Sequence, residues 1–139
     1  MSGAARDEGG VPAAHSGGLR TLLRVEGAAL LAAATLAYSW GGWSWYLYLG
    51  LFFVPDLSML AYTAGPRIGA FAYNVLHATV APLMLGCLGL AAPEGPWMPI
   101  AAIWLAHIGL DRMLGYGLKS SAGFGHTHLG PIGRRERPA

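Results

Sequence analysis

The chain has 139 residues, 54% hydrophobic and 12% charged, with a mean hydropathy of +0.43 and a formal net charge of +2. About a quarter of an average soluble domain is charged, so this composition excludes an ordinary soluble globule, and so small a net charge gives no ground for a nucleic-acid binder. The single cysteine, Cys87, excludes an intrachain disulfide and a thiolate metal cluster; in its apolar run it is expected as a small core residue.

Residues 1–18 are rich in Gly, Ala and Ser, carry Arg6, Asp7 and Glu8, and lack the apolar stretch of a signal peptide. That composition predicts a disordered cytoplasmic tail. The first predicted span covers residues 19–38, of which only 27–38 are uninterruptedly apolar. Arg20 and Arg24 can snorkel to the headgroups, while Glu26 falls about 10 Å inside at 1.5 Å per residue. An interfacial helix is the other reading of this stretch. Trp40 and Trp43 flank a turn at Gly41-Gly42, and Trp45, Tyr46 and Tyr48 extend an interfacial aromatic belt.

A second span is predicted over residues 43–64 and contains Pro55-Asp56. Pro55 has no N–H for Leu51, so a kink is expected beside a carboxylate. Gly65-Pro66-Arg67 forms the next turn. The third span, residues 68–90, sets Tyr73, Asn74 and His77 on one face and has a second kink at Pro82, which frees the carbonyl of Ala78. Residues 91–97 are a Pro/Gly loop. The fourth span, residues 97–118, carries His107 and Asp111 one turn apart, with Arg112 beside them. Gly109, Gly115 and Gly117 in this span allow a neighbouring helix to approach. Residues 119–139 form a polar tail with His126, His128 and a basic end.

With four spans, every Lys and Arg falls on one side and the opposite loops hold only Glu94. The positive-inside rule makes that side cytoplasmic, with both termini on it. Helical rise puts His77 and His107 near the midplane, and Asp56, Asp111 and Glu26 in the cytoplasmic half. Each span then brings an ionisable group to a similar depth. Such groups are costly in hydrocarbon and face a bundle interior or each other.

Carboxylates with imidazoles are ligands for Zn²⁺, Mn²⁺ or Fe²⁺, and Asp56, His77, His107 and Asp111 form a candidate set. Tyr73, Asn74, Arg112 and His128 are candidate supporting groups. Two other readings stand beside this one. The cluster can be a metal-free network, with Arg112 paired to Glu26 or Asp111 and the histidines bonded to the carbonyls freed by Pro55 and Pro82. Alternatively, His77 and His107 can hold a haem or pigment, non-covalently because no CxxCH motif exists.

Several segments taken together carry a resemblance: Pro55-Asp56-Leu57-Ser58-Met59-Leu60, Gly65-Pro66-Arg67, Tyr73-Asn74-Val75-Leu76-His77, the run from Trp104 to Arg112 with Gly115-Tyr116-Gly117-Leu118-Lys119, and Thr127-His128-Leu129-Gly130. They resemble the small bacterial membrane family called domain of unknown function 4260, over residues 19–133. The resemblance implies four membrane helices and no established activity. More remotely, Pro55-Asp56 and His107-x-x-x-Asp111 resemble membrane-bound metal-dependent hydrolases, which implies Asp56, His107 and Asp111 as ligands. Ser58 departs from that pattern where those enzymes carry a second aspartate.

The expectation is an all-α, antiparallel four-helix transmembrane bundle in a bacterial inner membrane, with a membrane domain over residues 19–118. Its function is read as holding a divalent metal, with hydrolysis as its chemistry and Glu26 as candidate base. The alternative is a non-catalytic subunit or scaffold that meets other membrane subunits or itself.

Overall fold

The structure, a computed structural model, describes residues 13–119 and the short strands 126–127 and 130–131; residues 1–12, His128 and the remaining tail lie outside the described residues. The elements run α1 (Ala13–Trp40), α2 (Trp45–Phe52), a 3₁₀ helix (Val54–Ala64), α3 (Pro66–His77), α4 (Val80–Ala91) and α5 (Trp97–Leu114). Strand β1 (His126–Thr127) then pairs antiparallel with β2 (Gly130–Pro131). The first helix therefore begins within the stretch expected as tail.

Three stretches are long and apolar enough to cross a membrane: Gly17–Trp40, Trp45–Ala64 and Pro66–Ala91. This is a membrane protein. The outer helices turn large apolar side chains outward, as at Leu49, Phe71, Met84 and Leu90, each about 70% exposed or more. In water such a surface would aggregate; in hydrocarbon it is solvated. α5 is not among the three spans, because its 18 residues include His107, Asp111 and Arg112. It is the helix the others surround, with Ala101, Ala102, Ile103, Ala106, His107, Ile108 and Gly109 all buried.

The two prolines do more than kink their helices. The second span stops at Phe52 and resumes as a 3₁₀ helix with Pro55 in its first turn. The third stops at His77, turns extended at Ala78 (φ −82°, ψ 137°), and resumes at Val80 with Pro82 in the first turn. A proline in a first turn gives up an N–H that would have no helical partner anyway, so a fresh start is less costly than a bend. Both breaks fall beside the residues of the candidate site.

α1 lies against α5 at glycines. A Cβ on Gly27 would sit 2.5 Å from the Met113 backbone N, and one on Gly109 would sit 2.5 Å from the Leu31 N. Only residues without side chains permit this crossing, the close approach that packs helices in lipid. Gly115, expected as a packing residue, instead ends α5 in the left-handed conformation (φ 92°).

At one end of the bundle Tyr38, Trp43, Trp45, Tyr48 and Phe52 make a chain of ring contacts with centroids 5.0–5.5 Å apart. Tyr38 donates to the Ser44 carbonyl at 2.6 Å, and the Tyr48 and Thr35 hydroxyls bond at 2.8 Å. Of the expected aromatic belt, Trp40 and Tyr46 are outward and exposed, whereas Tyr48 is core. Cys87, expected in the core, is exposed on α4. The run around it is apolar on every face, so hydrophobicity alone did not mark which face turns inward.

Candidate metal centre

Asp56 stands in the first turn of the 3₁₀ helix, His77 is the last residue of α3, and His107 and Asp111 share a face of α5. The breaks at residues 53 and 78 aim the first two toward α5. His77 Nε2 lies 3.5 Å from Asp56 Oδ1, 3.3 Å from Asp111 Oδ2 and 3.3 Å from His107 Nε2. His107 Nε2 lies 3.4 Å from Asp56 Oδ1 and 3.9 Å from Asp111 Oδ2. One ligating atom from each of the four side chains lies within 4.8 Å of every other. A tetrahedral ion with bonds of about 2.0–2.1 Å has ligand–ligand edges of about 3.3–3.4 Å. Four of the five measured edges match that length to within 0.2 Å.

Hydrogen-bond roles follow from what each partner can do. His77 Nδ1 lies 2.8 Å from the Tyr73 carbonyl, which can only accept, so Nδ1 carries the proton. In the neutral ring the lone pair is then on Nε2, facing the other three groups. The Tyr73 ring stacks on His77 at 3.7 Å and 9°, and its hydroxyl donates to Asp111 Oδ2 at 3.1 Å. His107 is 1% exposed, and its Nδ1 is buried without a hydrogen-bond partner, while its Nε2 faces the other three groups. The arrangement therefore suits a cation better than a closed metal-free network.

Charge points the same way. Two carboxylates share a site where both histidines are almost wholly buried, and Asp111 is only 15% exposed. Carboxylates this close are stabilised by a cation or by a shared proton. The positive charge that reaches both is Lys119, which follows α5 and is 5% exposed. Its ammonium lies 4.6 Å from the centre of the Tyr73 ring and 5.8 Å from that of Tyr62. Burial pulls it below the ordinary lysine range, and the carboxylates of Asp111 and Asp56 oppose that shift.

Asn74 explains how Lys119 comes to be there. Its side-chain amide donates to the Lys119 carbonyl at 2.7 Å and accepts from the Lys119 N–H at 2.7 Å. This two-bond clamp ties the segment after α5 back onto α3. Asn74→Ala is expected to cost about 1–3 kcal/mol through the polar groups left unpaired. It should also speed hydrogen exchange at the Lys119 amide; unchanged exchange would show that the clamp does not hold the segment.

The structure does not join Glu26 to this centre. Glu26 is exposed and lines a separate cavity of about 150 Å³ with Leu23, Gly27, Leu30, Thr79 and Arg112. Among the described residues no ion pair links Arg112 to Glu26 or Asp111, so the metal-free network expected around Arg112 is not formed. Three of the four expected spans meet at the site, and α1 supplies none of its ligands. His128, expected as a cap, lies outside the described residues. Ser58 is buried, with its hydroxyl unpartnered, and is not one of the four clustered groups. The haem reading finds no support in this geometry. With the two Nε2 atoms 3.3 Å apart and carboxylate oxygens at the same point, no plane is left for a macrocycle.

Lys119 is the residue that sequence reasoning missed. It reads as the first polar residue of a tail; the hints were Asn74 on the face of Tyr73 and His77, and its place at the end of the 115–119 run that carries the family resemblance.

No curated protein and no solved structure matches this chain. A family model does match, over residues 20–132, and its description is Domain of unknown function (DUF4260). That match covers the helical bundle, all four clustered side chains and Lys119, and the chain belongs to this family.

Proposed function

We infer that this protein holds one divalent metal ion inside a four-span membrane bundle, with Asp56, His77, His107 and Asp111 as the ligands. The observation that carries the reading is the set of ligand–ligand distances, four of them between 3.3 and 3.5 Å. Two nitrogens and two oxygens at tetrahedral edge lengths favour Zn²⁺ over Mn²⁺ and Fe²⁺, which take more ligands. The two carboxylates neutralise the ion, so the charge of the loaded site is low enough for a hydrocarbon setting.

α5 serves as the fourth span. It need not be as apolar as the others, because they shield it from lipid. The distribution of Lys and Arg in the sequence supports a topology with both chain ends on the cytoplasmic side, in keeping with a bacterial inner membrane.

Four protein ligands make a closed shell, the kind that holds structure together, whereas a catalytic ion keeps a position open. This favours a stabilising centre in a membrane scaffold over a hydrolase. Hydrolytic use would need one ligand to move aside. Asp56, 31% exposed, is the one with room to do so. When bound, an ion there would polarise a carbonyl or phosphoryl oxygen.

Elemental analysis of detergent-purified protein tests the reading. One equivalent of zinc per chain is expected. Stripping it with a strong chelator should lower the thermal midpoint, since an ion at 100 times its Kd stabilises the folded state by about 2.7 kcal/mol. Protein that carries no metal, and gains no stability when zinc is added, would overturn it.

A further inference from the structure

The chain does not run straight out of α5 into its tail. Gly115 turns it in the left-handed conformation, and the Tyr116 N–H donates to the Asp111 carbonyl at 2.8 Å. The two bonds to Asn74 then fix the backbone of Lys119 against α3. A lysine just past a helix end can ordinarily extend its stem and leave the ammonium in water, because an unpaired charge is costly to bury. Lys119 is buried instead. One side chain joins it to the ligands: the Tyr73 ring has the ammonium 4.6 Å from its centre, stacks on His77 at 3.7 Å and donates to Asp111 at 3.1 Å. The attraction of Asp111 and Asp56 reaches the ammonium.

This lysine changes the charge of the site in both of its states. Asp56 and Asp111 balance a divalent ion, so with Lys119 beside them the loaded site carries one positive charge. Emptied, it carries one negative charge, where the two carboxylates alone would carry two. The cost of holding charge away from water rises steeply with that charge. Lys119 therefore stabilises the empty site and opposes the loaded one. A centre that only stapled the bundle would be tighter with no cation beside it.

We propose that Lys119 sets how tightly the site holds its ion, as a tethered cation that competes with the metal for the two carboxylates and keeps the centre exchangeable. The proposal rests on the metal reading. It differs in sign from a packing role. Loss of a lysine that only packed would weaken the protein with and without metal. Loss of a competing cation weakens the metal-free protein and tightens the ion.

The test measures zinc affinity of the full chain in detergent by competition against a chromophoric chelator, with the thermal midpoint of the metal-free protein read on the same samples. Lys119→Met keeps the apolar stem and removes the charge, and Lys119→Arg keeps the charge. Lys119→Met should bind zinc about 10-fold tighter or more, and its metal-free form should melt lower. Lys119→Arg should stay near wild type. Asn74→Ala leaves Lys119 itself intact and cuts both bonds that hold it in place, so the ammonium can swing to water and zinc should again bind tighter. That variant decides the matter if Lys119→Met does not fold. Equal or weaker zinc binding, or an undiminished metal-free midpoint in Lys119→Met, would overturn the proposal and spare the metal reading. Equal tightening in Lys119→Arg would trace the effect to packing and overturn it too. Zinc held by none of these proteins would overturn both.

Discussion

Asp111→Ala protein, purified in detergent, is expected to come off the column without stoichiometric metal. Asp111 is the more buried of the two clustered carboxylates. Its Oδ2 takes a hydrogen bond from Tyr73 and lies 3.3 Å from His77 Nε2. Removing it takes away one ligand of four and half of the negative charge that neutralises the ion. An affinity loss of about 100-fold or more follows, given that lost outer hydrogen bonds alone cost about 10–100-fold. Tyr73→Phe makes the milder companion. It keeps the ring stacked on His77 and the backbone carbonyl that orients Nδ1, and deletes only the donor to Asp111. The expected loss is about 10-fold to 100-fold. Competition against a chromophoric chelator measures both. An Asp111→Ala protein that keeps a full equivalent would put the ion elsewhere. Acid should act in the same direction as the mutations. The ligating forms are neutral imidazole and ionised carboxylate, so protons compete with metal, and affinity should fall as the pH is lowered.

Gly109→Val is expected to destabilise the bundle by about 1–3 kcal/mol and to release the metal with it. The new Cβ would lie 2.5 Å from the Leu31 N and 2.8 Å from the Gly27 carbonyl oxygen. Backbone atoms on a packed helix cannot rotate aside as a side chain can, so the whole of α1 must slide or tilt. Gly109 sits between His107 and Asp111, and a shift of α5 at that point changes the ligand geometry directly. Gly27→Ala, at the facing position, should behave alike. Gly86→Ala is the control. Its added Cβ would meet the Ala101 Cβ at 3.7 Å, an ordinary contact, and the substitution should be neutral or stabilising by up to about 0.5–1 kcal/mol through helix propensity. Thermal unfolding in detergent distinguishes the two classes. If Gly86→Ala proved as damaging as Gly109→Val, the effect would be general intolerance of glycine loss and not the α1–α5 crossing.

The membrane class, the helical ends near residues 40, 65 and 91–97, and the four side chains that cluster are legible in the amino-acid order. Hydrophobic run length, turn residues and the cost of ionisable groups in hydrocarbon are local or nearly local properties, so a linear reading captures them. His107 and Asp111 could be paired from their spacing, because a helix converts four residues into one turn. Tertiary structure decided what depends on meeting other elements. It showed that Pro55 and Pro82 start new helices where kinks were expected, and that Glu26 on α1 stays outside the ligand shell. It also showed Cys87 facing outward and Lys119 returning over Tyr73. In a span apolar on every side, sequence does not say which face turns inward. Orientation is chosen by the neighbour: by glycine pairs such as Gly27 and Gly109 that let backbones touch, and by single hydrogen bonds such as Asn74 to Lys119, whose partners are 45 residues apart.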